Sequence, residues 1–315
     1  MLRRSTAAAL ATVIFLVAAC SDGDRPAEVA SERTTTTTTT TAAPDPPTSA
    51  ASPTTSTTSV ATTAGPVTTV GSRYVSPLPE GTPTSVAEAL AVTEPAIRDP
   101  ATPVADLERH GRAQQVAYRQ LAIHPEWTDE VLRRVPAALG GVVRANAGAG
   151  SELRALTKPQ TALPPWRIVA PAPADELLGY YKAAESAIGA PWNYLAAIHL
   201  VETRMGRIRG TSTAGAQGPM QFLPATWRQY GAGGDINSNR DSIFAAARLL
   251  VRNGAPGNMA NALFNYNRSQ RYVRAVTAYA ELMAQDEGAY RGYYHWQVFY
   301  RTTDGDRLLA EGYGT

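Results

Sequence analysis

The side chain whose setting invites chemistry is Glu202, an acid closing an apolar run in which Leu195, Ile198 and Val201 share one helical face. A helix C-terminus carries negative partial charge, and apolar neighbours such as Val201 and Met205 desolvate an anion. Both effects keep a carboxyl protonated towards neutral pH, ready to donate a proton to a leaving oxygen. Arg204 and Arg207 act in the opposite sense, and a surface ion pair between Glu202 and one of them fits these residues as well. Downstream, Ser212-Thr213-Ala214-Gly215-Ala216-Gln217-Gly218-Pro219-Met220-Gln221-Phe222 reads as a loop. Gly215 and Gly218 permit positive φ and close approach to a ligand, and Pro219 stiffens the exit. Asp235, Asn237, Asn239 and Asp241 alternate as in a calcium loop, but Arg240 stands where glycine is needed and Ala246 where an acid is needed. A polar loop ending in a helix cap is the expectation there. His110, His124, His199 and His295 show no ligand spacing, so neither a metal nor another cofactor is expected.

The elements that must position these residues are mainly helical. Asp175 and Glu176 favour a helix start, Leu177, Tyr181, Ala184 and Ile188 form its apolar stripe, and Gly189 ends it. Pro191 suits the first position of the helix that carries Glu202. Asp241 can cap a helix over 243–252 that Asn253-Gly254 closes, and Ser269 can cap another. On that last helix Tyr272, Val273, Val276, Tyr279, Ala280 and Met283 lie on one face. Upstream, 104–123 reads as a helix, and Trp127, Val131, Val135, Leu139 and Val142 make one stripe on a helix kinked at Pro136. A Pro-rich join, 163–173, separates this region, which carries no chemical motif, from the helices around Glu202. At the end of the chain β-formers over 297–303, the turn Asp304-Gly305 and residues 307–309 predict a short hairpin.

The N-terminus bounds where such chemistry would take place. Arg3 and Arg4 precede an apolar stretch of about 13 residues, short of the roughly 20 needed to span a bilayer, which is the outline of a signal peptide. It ends Leu16-Val17-Ala18-Ala19-Cys20, which resembles the lipobox of bacterial lipoproteins, and Cys20 is the only cysteine among 315 residues. Lipidation at Cys20 would account for an odd cysteine in an exported chain. Residues 21–84 are dominated by Thr, Ser, Ala and Pro and cannot bury enough surface to offset their ordering entropy, so a disordered tether is expected. With 29 basic against 27 acidic residues the net charge is only +2, and no basic run suits a phosphate backbone, so nucleic acid is not an expected partner.

Glu202-Thr203-Arg204-Met205-Gly206-Arg207, the Gly215 to Gln221 run and Asn265-Tyr266-Asn267 together resemble, in order and spacing, the lytic transglycosylase family. The likeness is to its soluble-transglycosylase and goose-type lysozyme-like catalytic domain, and it spans 174–283. Pro219 stands where Leu is more usual, Thr203 where many members have Ser, and the Glu-Thr-Arg-Met-Gly-Arg stretch is closer to membrane-bound members. The resemblance implies a lysozyme-like α+β catalytic domain within a mainly α chain and cleavage of peptidoglycan glycan strands. It implies Glu202 as the single catalytic acid/base, and Ser212 bonding that acid or an N-acetyl group. Met220 and Gln221 would line the muramyl subsite, Tyr266 would hydrogen-bond Glu202, and Asn267 would order the site. A hydrolysing muramidase with Asp235 or Asp241 as base, and a non-catalytic wall-binding lipoprotein, are the alternatives. Tyr290, Tyr293, Tyr294 and Trp296 suit either stacking on sugar rings or core packing. The expected organisation is a lipoprotein signal over 1–20, a tether over 21–84, a helical region over 85–165, a catalytic domain over 166–290 and an aromatic segment with a hairpin over 291–315. The expected setting is the outer face of the cytoplasmic membrane, with the N-terminal lipid in the membrane and glycan strands as partner.

Overall fold

The structure, a computed structural model, describes residues 72–315; Cys20, the apolar stretch before it and most of the Thr-rich segment lie outside the described residues. Order begins earlier than composition suggests. Within the stretch expected to be tether, β1 (Val75–Pro77) pairs antiparallel with the strand Gly305–Leu309. A distant partner supplies backbone bonds that a Pro- and Ser-rich segment cannot make locally. Thr82 and Ser85 then form a reciprocal capping box around Pro83, starting α1 (Pro83–Arg98). α2 (Val104–Ile123) has the bounds read from the sequence.

The single kinked helix expected across Pro136 is instead two helices, α3 (Thr128–Arg134) and α4 (Gly140–Ala155). The cause is local: Val135 is extended, at ψ 154°, because the proline ring excludes helical backbone in the residue before it. Val131 and Val135 are nonetheless buried. The predicted stripe survives the break.

β2 (Arg167–Ile168) leads through the join to α5 (Ala174–Ile188), which Gly189 ends in the left-handed conformation at φ 95°. α6 (Trp192–Thr203) starts one residue after the proline expected to open it. Ten of its twelve residues are buried, so α6 is enclosed on all sides and is not the one-faced helix of the sequence pattern. β3 (Ile208–Arg209) pairs with β2. There follow α7 (Pro224–Tyr230), α8 (Asn239–Arg252), α9 (Met259–Tyr266), α10 (Gln270–Gln285) and α11 (Gly288–Tyr294). The cap of α8 is Ser238, whose side chain accepts from the Asp241 amide; Asp241, the expected cap, sits in the first turn. Ser269 caps α10 as its position suggested.

Near the C-terminus lies a hairpin, β4 (Val298–Thr302) and β5 (Gly305–Leu309), whose turn is Thr303-Asp304 and not the expected Asp304-Gly305, since Gly305, at φ 100°, already pairs with Thr302. β1 extends it to a three-stranded antiparallel sheet ordered β1-β5-β4. The described residues are therefore mainly α with a small antiparallel sheet. One core runs from Val86 to Trp296, and α4 packs on both α2 and α10. The helical region over 85–165 thus shares its interior with the helices around Glu202.

Candidate functional site

α6 delivers Glu202 into a strained turn. Immediately after Thr203, Arg204 (φ 55°), Met205 (φ 60°) and Gly206 (φ 80°) all lie in the left-handed region. Two of the three carry a side chain, at a cost of about 1–2 kcal/mol each. The turn is held from several directions. The Met205 amide donates to the His199 carbonyl (3.2 Å), and the Gly206 amide donates to Thr203 Oγ1 (3.0 Å). Thr203 Oγ1 itself donates to the Pro219 carbonyl (2.6 Å), tying the end of α6 to the glycine loop. His199, one turn earlier, shares a 2.6 Å hydrogen bond with the Tyr181 hydroxyl. Burial, aided by Arg209 and Arg207, lowers the His199 pKa to about 3, so the ring is neutral. Strain over-determined in this way is a mark of functional sites.

Glu202 is 1% exposed, which excludes the surface ion pair that its neighbours allowed. Its Oε1 accepts a 2.8 Å hydrogen bond from the hydroxyl of Tyr272, on the first turn of α10. The predicted partner, Tyr266, donates elsewhere: its hydroxyl reaches the Met220 carbonyl (2.6 Å), and its ring lies parallel to that of Tyr272 with centroids 6.4 Å apart. Tyr266 therefore braces the glycine loop, and Tyr272 orients the acid. Burial, then the charge of Glu202, raises both hydroxyl pKa values well above the ordinary tyrosine range, so both remain neutral donors. The sequence contained one signal for Tyr272. A tyrosine on a core-facing stripe must find a partner for its hydroxyl.

The loop itself is built on its two glycines. Ser212 closes the first part: its amide donates to the Ala216 carbonyl and its Oγ accepts from the Ala216 amide, both at 2.9 Å. The Ser212 hydroxyl, expected on the acid or on substrate, thus accepts from its own loop. Gln217 and Phe222 exchange 2.9 Å backbone bonds around the turn between them. Gly218 has φ 74°, and a Cβ there would lie 1.9 Å from the Ile236 carbonyl oxygen, so no other residue fits. Met220 is fully buried; Gln221 is 1% exposed and left-handed at φ 51°. Gln221 Nε2 donates to the Gly218 carbonyl (2.9 Å), while its buried Oε1 has no hydrogen-bond partner among the described residues. Asn267, 3% exposed at the end of α9, likewise leaves a buried Nδ2 unpartnered.

Glu202 faces a cleft that Val201, Arg204 and Ile208 also line, but most of whose walls come from parts of the chain without a chemical motif. They include Gln115, Tyr118 and Arg119 of α2, Leu153 and Arg154 of α4, Tyr279 of α10, Trp296, and Val298 to Arg301 with Asp306 of the hairpin. None of Ser212, Met220, Gln221, Tyr266 or Asn267 is part of that wall. A neighbouring groove, sharing Ile208 with the cleft, is lined by Arg167, Arg209, Thr211, Gln217, Gly218 and Asn237. The glycine loop thus forms part of one groove, and the acid stands in the adjoining one.

Within the cleft Asp306 is 4% exposed and paired with both Arg119 and Arg154, the latter at 2.9 Å. Burial pushes its carboxyl up, but the two guanidinium charges outweigh burial and hold it below the ordinary aspartate range. Asp235 and Asp241 are occupied in closing their own loop. Asp241 Oδ2 accepts from the Asp235 amide (3.0 Å), and Asp235 Oδ1 accepts from the Asn237 amide (2.9 Å). Tyr290, Tyr293 and Trp296 are buried, and their polar tips bond Ala174, Asn146 and Gln114, which makes them core residues; Trp296 also reaches the cleft. No family model, no curated protein and no solved structure matches the chain.

Proposed function

We propose that the chain is a peptidoglycan lytic transglycosylase with a lysozyme-like catalytic fold. The observation that carries the reading is Glu202: a buried carboxyl, oriented by Tyr272, at a strained helix end that Thr203 ties to the Gly215 to Gln221 loop. Glycosidases usually set two carboxylates across the bond they cleave. Here the other acid of the cleft, Asp306, is neutralised by two arginines. A lone acid suits a reaction in which the same group serves as acid and then as base.

Glu202 donates its proton to the β-1,4 oxygen between N-acetylmuramic acid and N-acetylglucosamine, and the bond from that oxygen to the muramyl anomeric carbon breaks. The substrate's acetamido group stabilises the resulting oxocarbenium-like centre. The Glu202 carboxylate then takes the proton of the muramyl 6-hydroxyl, whose oxygen closes on the anomeric carbon. The products are a 1,6-anhydromuramyl end and a free 4-hydroxyl on N-acetylglucosamine, and Glu202 is protonated again. The Tyr272 hydroxyl supports the acid in its anionic interval. Cys20 would carry the lipid that holds the chain at the outer face of the cytoplasmic membrane.

The test is digestion of purified peptidoglycan with mass spectrometry of the products. Anhydromuramyl ends are expected; reducing ends would instead identify a hydrolysing muramidase. Glu202→Gln should abolish clearing and keep binding. Clearing at the wild-type rate by that variant would overturn the mechanism.

A further inference from the structure

The wall of the cleft carries more positive charge than its own acids neutralise. Arg119, Arg154, Lys158, Arg204 and Arg301 line it, against Glu202 and Asp306. Asp306 is committed to Arg119 and Arg154. Among the described residues the Arg301 acceptors are main-chain carbonyls, those of Arg154 (3.1 Å) and Thr157 (2.6 Å), and Arg204 donates to the Leu200 carbonyl. Among the described residues neither Arg301 nor Lys158 has a carboxylate at ion-pair distance. Holding cations side by side in a partly desolvated wall is unfavourable, and burial followed by the charge of Arg154 lowers the Arg301 pKa. An anionic ligand would relieve that repulsion. The cations sit beside the acid: Arg204 follows it directly in its motif, and the other four come from α2, α4, its following loop and the hairpin, segments in which no chemistry was legible.

We propose that this wall is a carboxylate subsite, in which Lys158, Arg301 and Arg204 receive acidic groups carried by the strand whose glycosidic bond lies at Glu202. This rests on the glycan-cleaving reading above. The carboxylates can belong to the stem peptides, or to the lactyl group of a muramic acid from which the stem has been removed. Lys158 is exposed at the rim, where it meets the ligand first, and Arg301 is half-buried, where each hydrogen bond to a charged group is stronger. Residues 85–165 and the hairpin are on this view the part of the protein that reads what the glycan carries.

The experiment is calorimetric titration of the full chain, with Glu202→Gln introduced to keep ligands uncut, against three probes. They are a neutral N-acetylglucosamine oligomer, a glycan fragment bearing stem peptides, and the same fragment stripped of its stems. Binding of at least one anionic fragment about tenfold tighter than the neutral oligomer is expected. Which of the two is preferred identifies the source of the carboxylate. Lys158→Glu and Arg301→Gln should each remove much of that preference, and rising salt should erode it. The proposal is overturned if the neutral oligomer binds as tightly as both fragments. It is also overturned if Lys158→Glu, at an exposed position that cannot threaten folding, leaves the preference intact. Should the preference stand while the wild-type chain cleaves none of these strands, the catalytic reading fails and the subsite survives.

Discussion

Tyr272→Phe separates the observed site from the one expected of Tyr266. The substitution removes one hydroxyl, 2.8 Å from Glu202 Oε1, and keeps the ring that stacks on Tyr266. A hydrogen bond to an ionised group is worth about 1.5–3 kcal/mol, and one between neutral groups about 0.5–1.5 kcal/mol. The hydroxyl therefore favours ionised over protonated Glu202 by roughly 1–1.5 kcal/mol, or about tenfold in any step that needs the anion. Loss of the donor should lower kcat about tenfold with KM little changed. It should also move the limb of the pH–rate profile governed by this carboxyl about one unit towards higher pH, because the ionised form has lost its support. Tyr266→Phe leaves the Met220 carbonyl without its donor, so its main effect should be a stability loss of about 1–3 kcal/mol. The assay is release of anhydromuramyl products across pH 4–9 by each variant, beside a thermal melt. If Tyr272→Phe keeps the wild-type profile while Tyr266→Phe shifts it, the assignment of roles is wrong.

Other substitutions report on the frame around the acid. Gly218→Ala should unfold the loop or lower Tm by several degrees in calorimetry, since its Cβ would meet the Ile236 carbonyl at 1.9 Å; Gly215→Ala, at φ 84° with open space around it, should cost only the left-handed strain, about 1–2 kcal/mol. Asp306→Asn strands two arginines in a half-buried wall and should lower the free energy of unfolding by about 3–5 kcal/mol in urea titration. Because the Asp306 pKa is depressed in the fold, its stabilisation is complete above the unfolded value and disappears as pH falls through the folded one; the Asn variant should lose that acid limb. His199, lowered to about 3, binds its proton only in the unfolded chain between there and the ordinary value of 6.5, so stability should fall on acidification across that window. His199→Gln should flatten that part of the stability profile.

Local rules made much of the frame legible. α2, the Gly189 stop, the Ser269 cap, the terminal hairpin and the positive φ of Gly215 and Gly218 each follow from a few neighbouring residues, although the hairpin turns at Thr303-Asp304, one residue before the expected pair. What escaped depends on partners far along the chain. Nothing near Val75 announces that β5 will pair with it, and composition alone made that stretch a tether. Ser238 and Asp241 are both good caps three positions apart, and only the fold chose Ser238. The same holds at the acid. Tyr266 and Tyr272 are equally suited to bond a carboxylate, and the choice was made when α9 turned into α10 and set one hydroxyl on the loop and the other on Glu202. Arg119, Arg154, Arg301 and Asp306 are unremarkable where each stands in the sequence, yet the packing of α2, α4 and the hairpin makes them one wall of the cleft. On the reading proposed above, a motif marks the reacting group, whereas the wall beside it is assembled from residues that no local pattern connects. In this chain that division falls between Glu202, readable from its neighbours, and the charged residues that line the same cleft, which come together only once the N-terminal helices and the C-terminal strands have closed on each other.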